Sequence, residues 1–474
     1  MSKKKLLFAA SEVYPFAKSG GLADVAHSLP VALADEYDVC VVMPLYRFVN
    51  RKKFRIRSLD HRFEVSMGGA DYPVELFGCK TGGIEYRFVY SPLLCDRDFL
   101  YGTPEAGYED NALRFTLFCR AIVRMLELDD YAVTHLNDWQ CALVPLLVRE
   151  NPAVRTKTVY TIHNLAYQGV FDRSVLDSIG ISEHYFTMDG IEFYGQVNLM
   201  KAGIAYADRI TTVSPTYAEE ILTPRFGCGL EGFLQLHRSN LSGILNGIDD
   251  AHFSPVTDKS LPQTYDDLKG KKANKTDYLK SVGLKGVNKP LFVFIGRYTW
   301  QKGLDLLIPL LEKLGQEECN VAFLGEGEQK YYDALEEAAE EYPNIYLHHG
   351  YDEALSRRLY AAADFLIMPS LFEPCGLAQL IAFAYGAVPV VHHVGGLVDT
   401  VHRIGEYDKK SPNGFGIAFT QESSEALLEA LQYALTLYVD KRRFNALVRH
   451  NMSRDFSWHE SARSYIALYQ AVEG

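Results

Sequence analysis

At 474 residues the chain exceeds what one hydrophobic core serves, so two or three domains are expected, each burying a core of its own. The balance of 48 basic against 60 acidic residues leaves a net charge of −12, which disfavours nonspecific binding to nucleic acid or an anionic membrane but leaves room for a locally positive site. Eight cysteines without a C-x-x-C pair or metal-ligand spacing read as mostly reduced and buried, no apolar run approaches a membrane span, and Met-Ser-Lys-Lys-Lys leads straight into a short strand, so a cytoplasmic enzyme is the expectation.

The first strand is expected over Lys5 to Ala10, and the stretch Lys18-Ser19-Gly20-Gly21-Leu22-Ala23-Asp24-Val25 joins it to a helix from about Gly21 to Ala34. Paired glycines let the backbone turn sharply and let a ligand approach the main chain, the helix start offers free N–H groups to an anion, and Lys18 adds a positive charge. Taken alone the stretch reads as a plain βα turn with a solvated lysine; a matching site further on changes that reading. Val39 to Met43 is a second apolar strand, Phe54 to Tyr90 switches to short alternating stretches expected as an antiparallel excursion, and a loop from Tyr101 to Tyr108 leads to a helix from about Asn111 to Leu126. Strands over Ala132 to Leu136 and Thr158 to Ile162 end in Asn137-Asp138-Trp139-Gln140 and in His163 to Gly169. A helix cap and a satisfied core histidine are the ordinary roles of Asp138 and His163. Their shared place at the carboxyl ends of parallel strands argues for function, facing one cleft with Lys18.

After a helix around Asn198 to Tyr206 and a strand over Arg209 to Val213, the chain passes Asn246-Gly247-Ile248-Asp249 and enters a polar region from Asp250 to Pro290, with the interdomain linker near its start and a polar helix beyond it. Leu291 to Ile295 opens a second half and runs into Gly296-Arg297-Tyr298-Thr299-Trp300-Gln301-Lys302-Gly303, repeating the order strand, glycine, basic residue, glycine, helix. Strands over Val321 to Leu324, Ile345 to His348, Phe365 to Met368 and Val388 to Val391 alternate with helices, which predicts a second doubly wound sheet. Pro374 and Gly376 stop the fourth strand of this half and hold Glu373 in a loop ahead of a helix; Gly395-Gly396-Leu397 lead into another.

The Lys18 to Val25 stretch, Asn137-Asp138-Trp139, Thr161 to Gly169, Gly296-Arg297 with Gln301-Lys302-Gly303, Phe372 to Leu377 and Gly395-Gly396-Leu397, in that order, together resemble the bacterial glycogen synthase and plant starch synthase family. The resemblance runs from Lys5 to about Tyr469. It implies an α/β GT-B fold, with two Rossmann-like doubly wound domains facing a deep cleft: residues 1–248 on the acceptor side, 249–455 binding the nucleotide sugar, and a last helix in 456–474 crossing back to the first domain. It implies retaining transfer of glucose from ADP-glucose to the nonreducing 4-OH of an α-1,4-glucan such as glycogen.

Such a reaction leaves negative charge on a diphosphate while positive charge develops on the sugar, so fixed cations near the phosphate help most. Arg297 and Lys302 resemble the family's diphosphate-binding pair; with them in place no metal and no further cofactor is required, ADP-glucose being a substrate. By the same resemblance Gly20, Gly21, Gly395 and Gly396 supply backbone donors, Lys18 reaches into the same cleft from the opposite domain as a catalytic residue, Asp24 binds substrate, and His163 bonds the donor sugar near the reacting centre. Glu373 binds sugar hydroxyls and balances charge without acting as a covalent nucleophile, its loop continuing through Cys375, Gly376 and Leu377. Asp138, with Asn137 and Trp139, lies towards the acceptor, and Glu12 and Asn246 contribute. Ala378 stands where many members carry Thr, Ser19 where Thr is common, and Ala384 and His392 where basic residues are frequent. A UDP-glucose transferase or one with another acceptor, a hydrolase using Asp138 and Glu373, and a noncatalytic glucan-binding protein are the alternative readings.

Overall fold

The computed structural model describes residues 3–103, 106–350, 352–411 and 413–474; Met1 and Ser2 of the start and Pro104 of the predicted loop lie outside them. The chain forms two compact units, Met1–Asn246 with Trp458–Gly474, and Gly247–Ser457.

The first unit is built on a nine-stranded sheet. Its strands lie in the order Leu241–Gly243, Arg209–Thr212, Lys157–Ile162, Val133–Asn137, Lys4–Ala9, Tyr37–Pro44, Ile84–Tyr90, Ala70–Thr81 and Arg57–Met67. Pairing is parallel from Leu241–Gly243 to Ile84–Tyr90, and the last two strands add on antiparallel. The antiparallel excursion thus extends the main sheet. Leu6 to Ala9 and Val133 to Asn137 are buried throughout, as expected of central strands covered on both faces. The helix Gly21–Leu33 and the last helix, His459–Glu473, pack together, and the last helix also touches the strand Lys157–Ile162.

The second unit holds a seven-stranded sheet ordered Ile345–His349, Asn320–Gly325, Leu291–Ile295, Phe365–Met368, Val388–His392, Gly414–Phe419 and Val401–Arg403, parallel throughout. Alternate residues feed separate cores: Phe292 and Phe294 pack on one face, Leu291 and Val293 on the other. The polar helix Leu268–Ser281 is amphipathic only in a disguised way. Its buried positions include Lys271 and Lys275, whose ammonium groups are tied to the Ala361 and Tyr385 carbonyls and to Asp364 at 2.5 Å.

In each sheet the connections change direction between two central strands. In the first unit the chain leaves Lys4–Ala9 towards Tyr37–Pro44 and leaves Val133–Asn137 the other way; in the second it does the same between Leu291–Ile295 and Phe365–Met368. The crevice beyond the carboxyl ends of such a strand pair is where open α/β sheets bind ligands. Among the described residues no helix is long and apolar enough to cross a membrane.

Candidate active site

In the first unit the crevice is lined by carboxyl and imidazole groups. Glu12 is buried and accepts the Ser19 N–H. Burial pushes its carboxyl up to about 7, against the Ser19 and Gly20 N–H groups, and the Asp24 charge adds to the rise. Gly20 is extended at φ −157° and Gly21 is the first helical residue. The predicted sharp turn is therefore absent from this glycine pair. Nothing at Gly20 demands glycine within the unit, since an added Cβ would meet only Glu12 Oε1, at an ordinary 3.8 Å. Lys18 is exposed and paired: its Nζ lies 2.7 Å from Asp24 Oδ1 and 5.7 Å from the centre of the Tyr14 ring.

Asp138 follows the strand Val133–Asn137 at φ 55°, ψ −179°, a conformation a side chain adopts only under strain. Its Oδ1 accepts the His163 N–H at 2.8 Å and its own N–H donates to the Thr161 carbonyl at 3.0 Å. Burial raises its carboxyl to about 7, opposed by the His163 and Asn164 N–H groups and assisted by the Glu12 charge. Asn137 fixes the histidine. Its Nδ2 donates to the Ala9 carbonyl at 2.9 Å, which turns Oδ1 towards His163 Nε2, also at 2.9 Å, so Nε2 carries the proton. Burial holds the His163 pKa down to about 3, so the ring is a neutral acceptor at Nδ1. Trp139 packs against Phe115 and Phe171 at centroid distances of 5.0 and 5.9 Å, which anchors the Asp138 turn. Asn246, the last residue of its stretch of the unit, is buried with Oδ1 lacking a hydrogen bond.

In the second unit Lys302 Nζ lies 2.6 Å from Glu373 Oε2, the carboxylate being 8% exposed and the lysine 21%. Ser370 Oγ donates to the same oxygen at 2.9 Å. Arg297 is exposed and makes no ion pair among the described residues. The loop is rigidly framed: Gly396 N–H donates to the Glu373 carbonyl, Leu371 N–H to Gln301, and the buried Gln379 Nε2 to the Cys375 and Gly376 carbonyls. Here glycine is required. Gly303 sits at φ 72° with an added Cβ 1.9 Å from the Pro369 carbonyl oxygen, and Gly395 at φ 48° turns the chain into the helix Gly396–Thr400. That helix is only five residues long, so it offers N–H groups with little of the dipole expected behind Gly395 and Gly396. Leu377 caps the helix Ala378–Ala384, of which Ala378 is the first residue.

Sequence reasoning missed Ser370 and Gln379. Both stand inside or beside quoted motifs, but their partners are set by loop closure. It also treated Lys302 and Glu373 apart, though they are mutual partners 71 residues distant in the chain. Among the described residues no group of three His, Cys, Asp or Glu is placed to hold a metal ion.

The starch synthase catalytic domain family matches residues 5–236, and the glycosyl transferases group 1 family matches residues 276–449. A glycogen synthase of Geotalea daltonii is 42% identical over 493 residues, covering 99% of this chain and 99% of that protein. Glycogen synthase 2 of Geobacter sulfurreducens is 41% identical over 478 residues, with 98% of each covered. The catalytic domain of starch synthase IV from Arabidopsis thaliana, solved bound to ADP and acarbose, aligns over 100% of both chains with a TM-score of 0.93 at 31% identity. Sucrose-phosphate synthase from Thermosynechococcus elongatus, 17% identical with 99% of each chain covered, shares the fold at a TM-score of 0.63. The architecture is GT-B, with two Rossmann-like units.

Proposed function

The chain belongs to the starch and glycogen synthase family of glycosyltransferases, and we propose that it is an ADP-glucose:1,4-α-D-glucan 4-α-D-glucosyltransferase that elongates glycogen in the cytoplasm. The observation that carries the reading is Arg297, with no ion pair among the described residues, on the same strand-to-helix loop as Lys302, whose partner Glu373 stands on the loop after Phe365–Met368, at the ligand crevice of the second unit.

Cleavage of the glucosyl–diphosphate bond builds charge of opposite sign on the two fragments. Arg297 binds the diphosphate from the start. Lys302 exchanges its carboxylate partner for the leaving oxygens, which frees Glu373 to accept hydroxyls of the glucosyl ring and to face its developing positive charge. The cations of the protein meet the leaving charge, so no divalent metal is needed. In the first unit neutral His163 presents Nδ1 as an acceptor for a donor-sugar hydroxyl, and Asp138, titrating near neutrality, is suited to take the proton released by the acceptor 4-OH. Glu373 is not a covalent nucleophile; the anomeric configuration is retained by attack from the departing face, and no glycosyl adduct should be trapped on it.

Incorporation of glucose into glycogen should be strong from ADP-glucose, weak from UDP-glucose and unchanged by EDTA. Absence of transfer from either donor by folded protein would overturn the reading, and loss of transfer in EDTA would overturn its metal independence.

A further inference from the structure

Beneath the carboxyl-terminal groups of the first unit runs a buried polar chain that the proposed reaction does not use. Tyr469, fully buried on the last helix, places its hydroxyl 2.6 Å from His135 Nδ1. His135 Nε2 lies 2.6 Å from Thr161 Oγ1, which in turn bonds Thr211 Oγ1. His135, Thr161 and Thr211 stand on three neighbouring strands, and all three are buried. The wall around them is aromatic. Phe8 and Tyr465 face the imidazole at 4.7 and 5.3 Å between centroids, and Tyr37 meets Tyr469 edge-on at 5.6 Å.

The strand register gives this chain its meaning. His135 is paired with Val159 and Asn137 with Thr161. Each side chain reaches two residues past its register partner: His135 to Thr161, and Asn137 to His163. The same stagger is therefore tied twice between the same two strands, once in the core and once at the site. Asp138 N–H also donates to the Thr161 carbonyl, so Thr161 is held by both.

A neutral imidazole has one donor and one acceptor, and the Tyr469 and Thr161 hydroxyls, each able to donate or accept, hold the ring from its two nitrogens. With the phenol donating to Nδ1, Nε2–H donates to Thr161. Without the phenol, Nδ1 loses its partner and the ring is held by hydrogen bonding from the Nε2 side alone.

We propose that Tyr469 is a positioning residue for the acceptor-side groups: through His135 and Thr161 it fixes the stagger of the strands Val133–Asn137 and Lys157–Ile162, and with it the Asn137–His163 bond and the Asp138 turn. The proposal rests on the glucosyl-transfer reading for its kinetic consequence and on geometry for the rest. In full-length protein, Tyr469→Phe lowers kcat about tenfold, part of the hundredfold that a shift on the order of 1 Å costs, and leaves the KM for ADP-glucose within about twofold. His135→Gln keeps an amide able to reach Thr161 and loses less; adding Tyr469→Phe to His135→Gln costs nothing more, because the tyrosine acts through the histidine. Nitrogen-15 NMR of histidine-labelled protein, with His163 assigned by its loss in His163→Gln, reads the site directly: Tyr469→Phe moves the His163 ring resonances.

A Tyr469→Phe protein with a lowered Tm but native kcat and native His163 resonances would overturn the proposal, as would additive losses in the double variant. Should the native protein transfer no glucose, the functional reading fails, while unchanged or shifted His163 resonances still decide the positioning role.

Discussion

Asp138 combines two costs that a residue kept only as a helix cap need not bear. Its backbone conformation costs on the order of 1–3 kcal/mol, and its carboxyl is raised to about 7 chiefly by burial. The folded chain thus keeps a proton that the unfolded chain has already released, so between the ordinary carboxylate range and about 7 this group makes stability fall as pH rises, and above that it has no further effect. Asp138→Asn removes the titration while keeping an acceptor for the His163 N–H. The Tm of the variant relative to native protein should therefore rise between about pH 4.5 and 7.5, by a few °C, and then level off; thermal unfolding across that range checks it, and a flat difference would remove the carboxyl from the account. In the other unit, a charge-assisted hydrogen bond to phosphate is worth roughly 1.5–3 kcal/mol, so Arg297→Ala should lower kcat/KM about 10- to 100-fold or more. Native kcat/KM in a folded Arg297→Ala protein would sink the donor assignment. Glu373→Gln leaves Lys302 without its anionic partner and removes the charge facing the ring. Steady-state kinetics should show a fall in kcat on the order of a hundredfold, with ADP binding retained.

At the scale of elements, the central strands were legible because they are continuous apolar runs, such as Leu6 to Ala9 and Leu291 to Ile295, closed by glycine or polar clusters. Their carboxyl ends then located both crevices. The strands Val401–Arg403 and Gly414–Phe419 and the helices Ser424–Val439 and Lys441–Met452 went unassigned, being short, or apolar all along one face without a motif to mark them. Backbone conformation was the least legible feature. The glycines expected to turn sharply, Gly20 and Gly21, do not, whereas Gly303 and Asp138 adopt positive φ. Nothing local distinguishes them, because the constraint at Gly303 is the Pro369 carbonyl, 66 positions on along the chain. Gly303→Ala would have to push that carbonyl away while accepting a left-handed angle, at ~2 kcal/mol or more. It should lower Tm and raise the KM for ADP-glucose together, since Pro369 leads into the Ser370–Glu373 loop. An unaltered KM would mean that the loop tolerates the shift.

At the scale of the whole molecule, the first unit is discontinuous: its sheet comes from residues before Asn246 and its last helix from residues after Ser457. That helix buries Tyr465 and Tyr469 almost completely. At ~25 cal/mol per Å² and 150–250 Å² for each ring, the two amount to an upper estimate of roughly 8–12 kcal/mol, as large as the whole stability of an ordinary domain. A chain ended at Ser457 should therefore lose the unfolding transition of the first unit in calorimetry while keeping that of the second; two intact transitions would show the helix to be dispensable. The same discontinuity sets an order of events during synthesis. The amino-terminal stretch leaves the ribosome first, yet the face that Tyr465 and Tyr469 cover, including His135 Nδ1, stays open until the last helix follows, some 210 residues later. At about 5–20 residues per second that is a wait of roughly 10–40 s, in which the second unit completes itself and the earlier half must be kept from aggregating through that open face. In this chain the residues that close the first fold begun are translated only after the whole of the second.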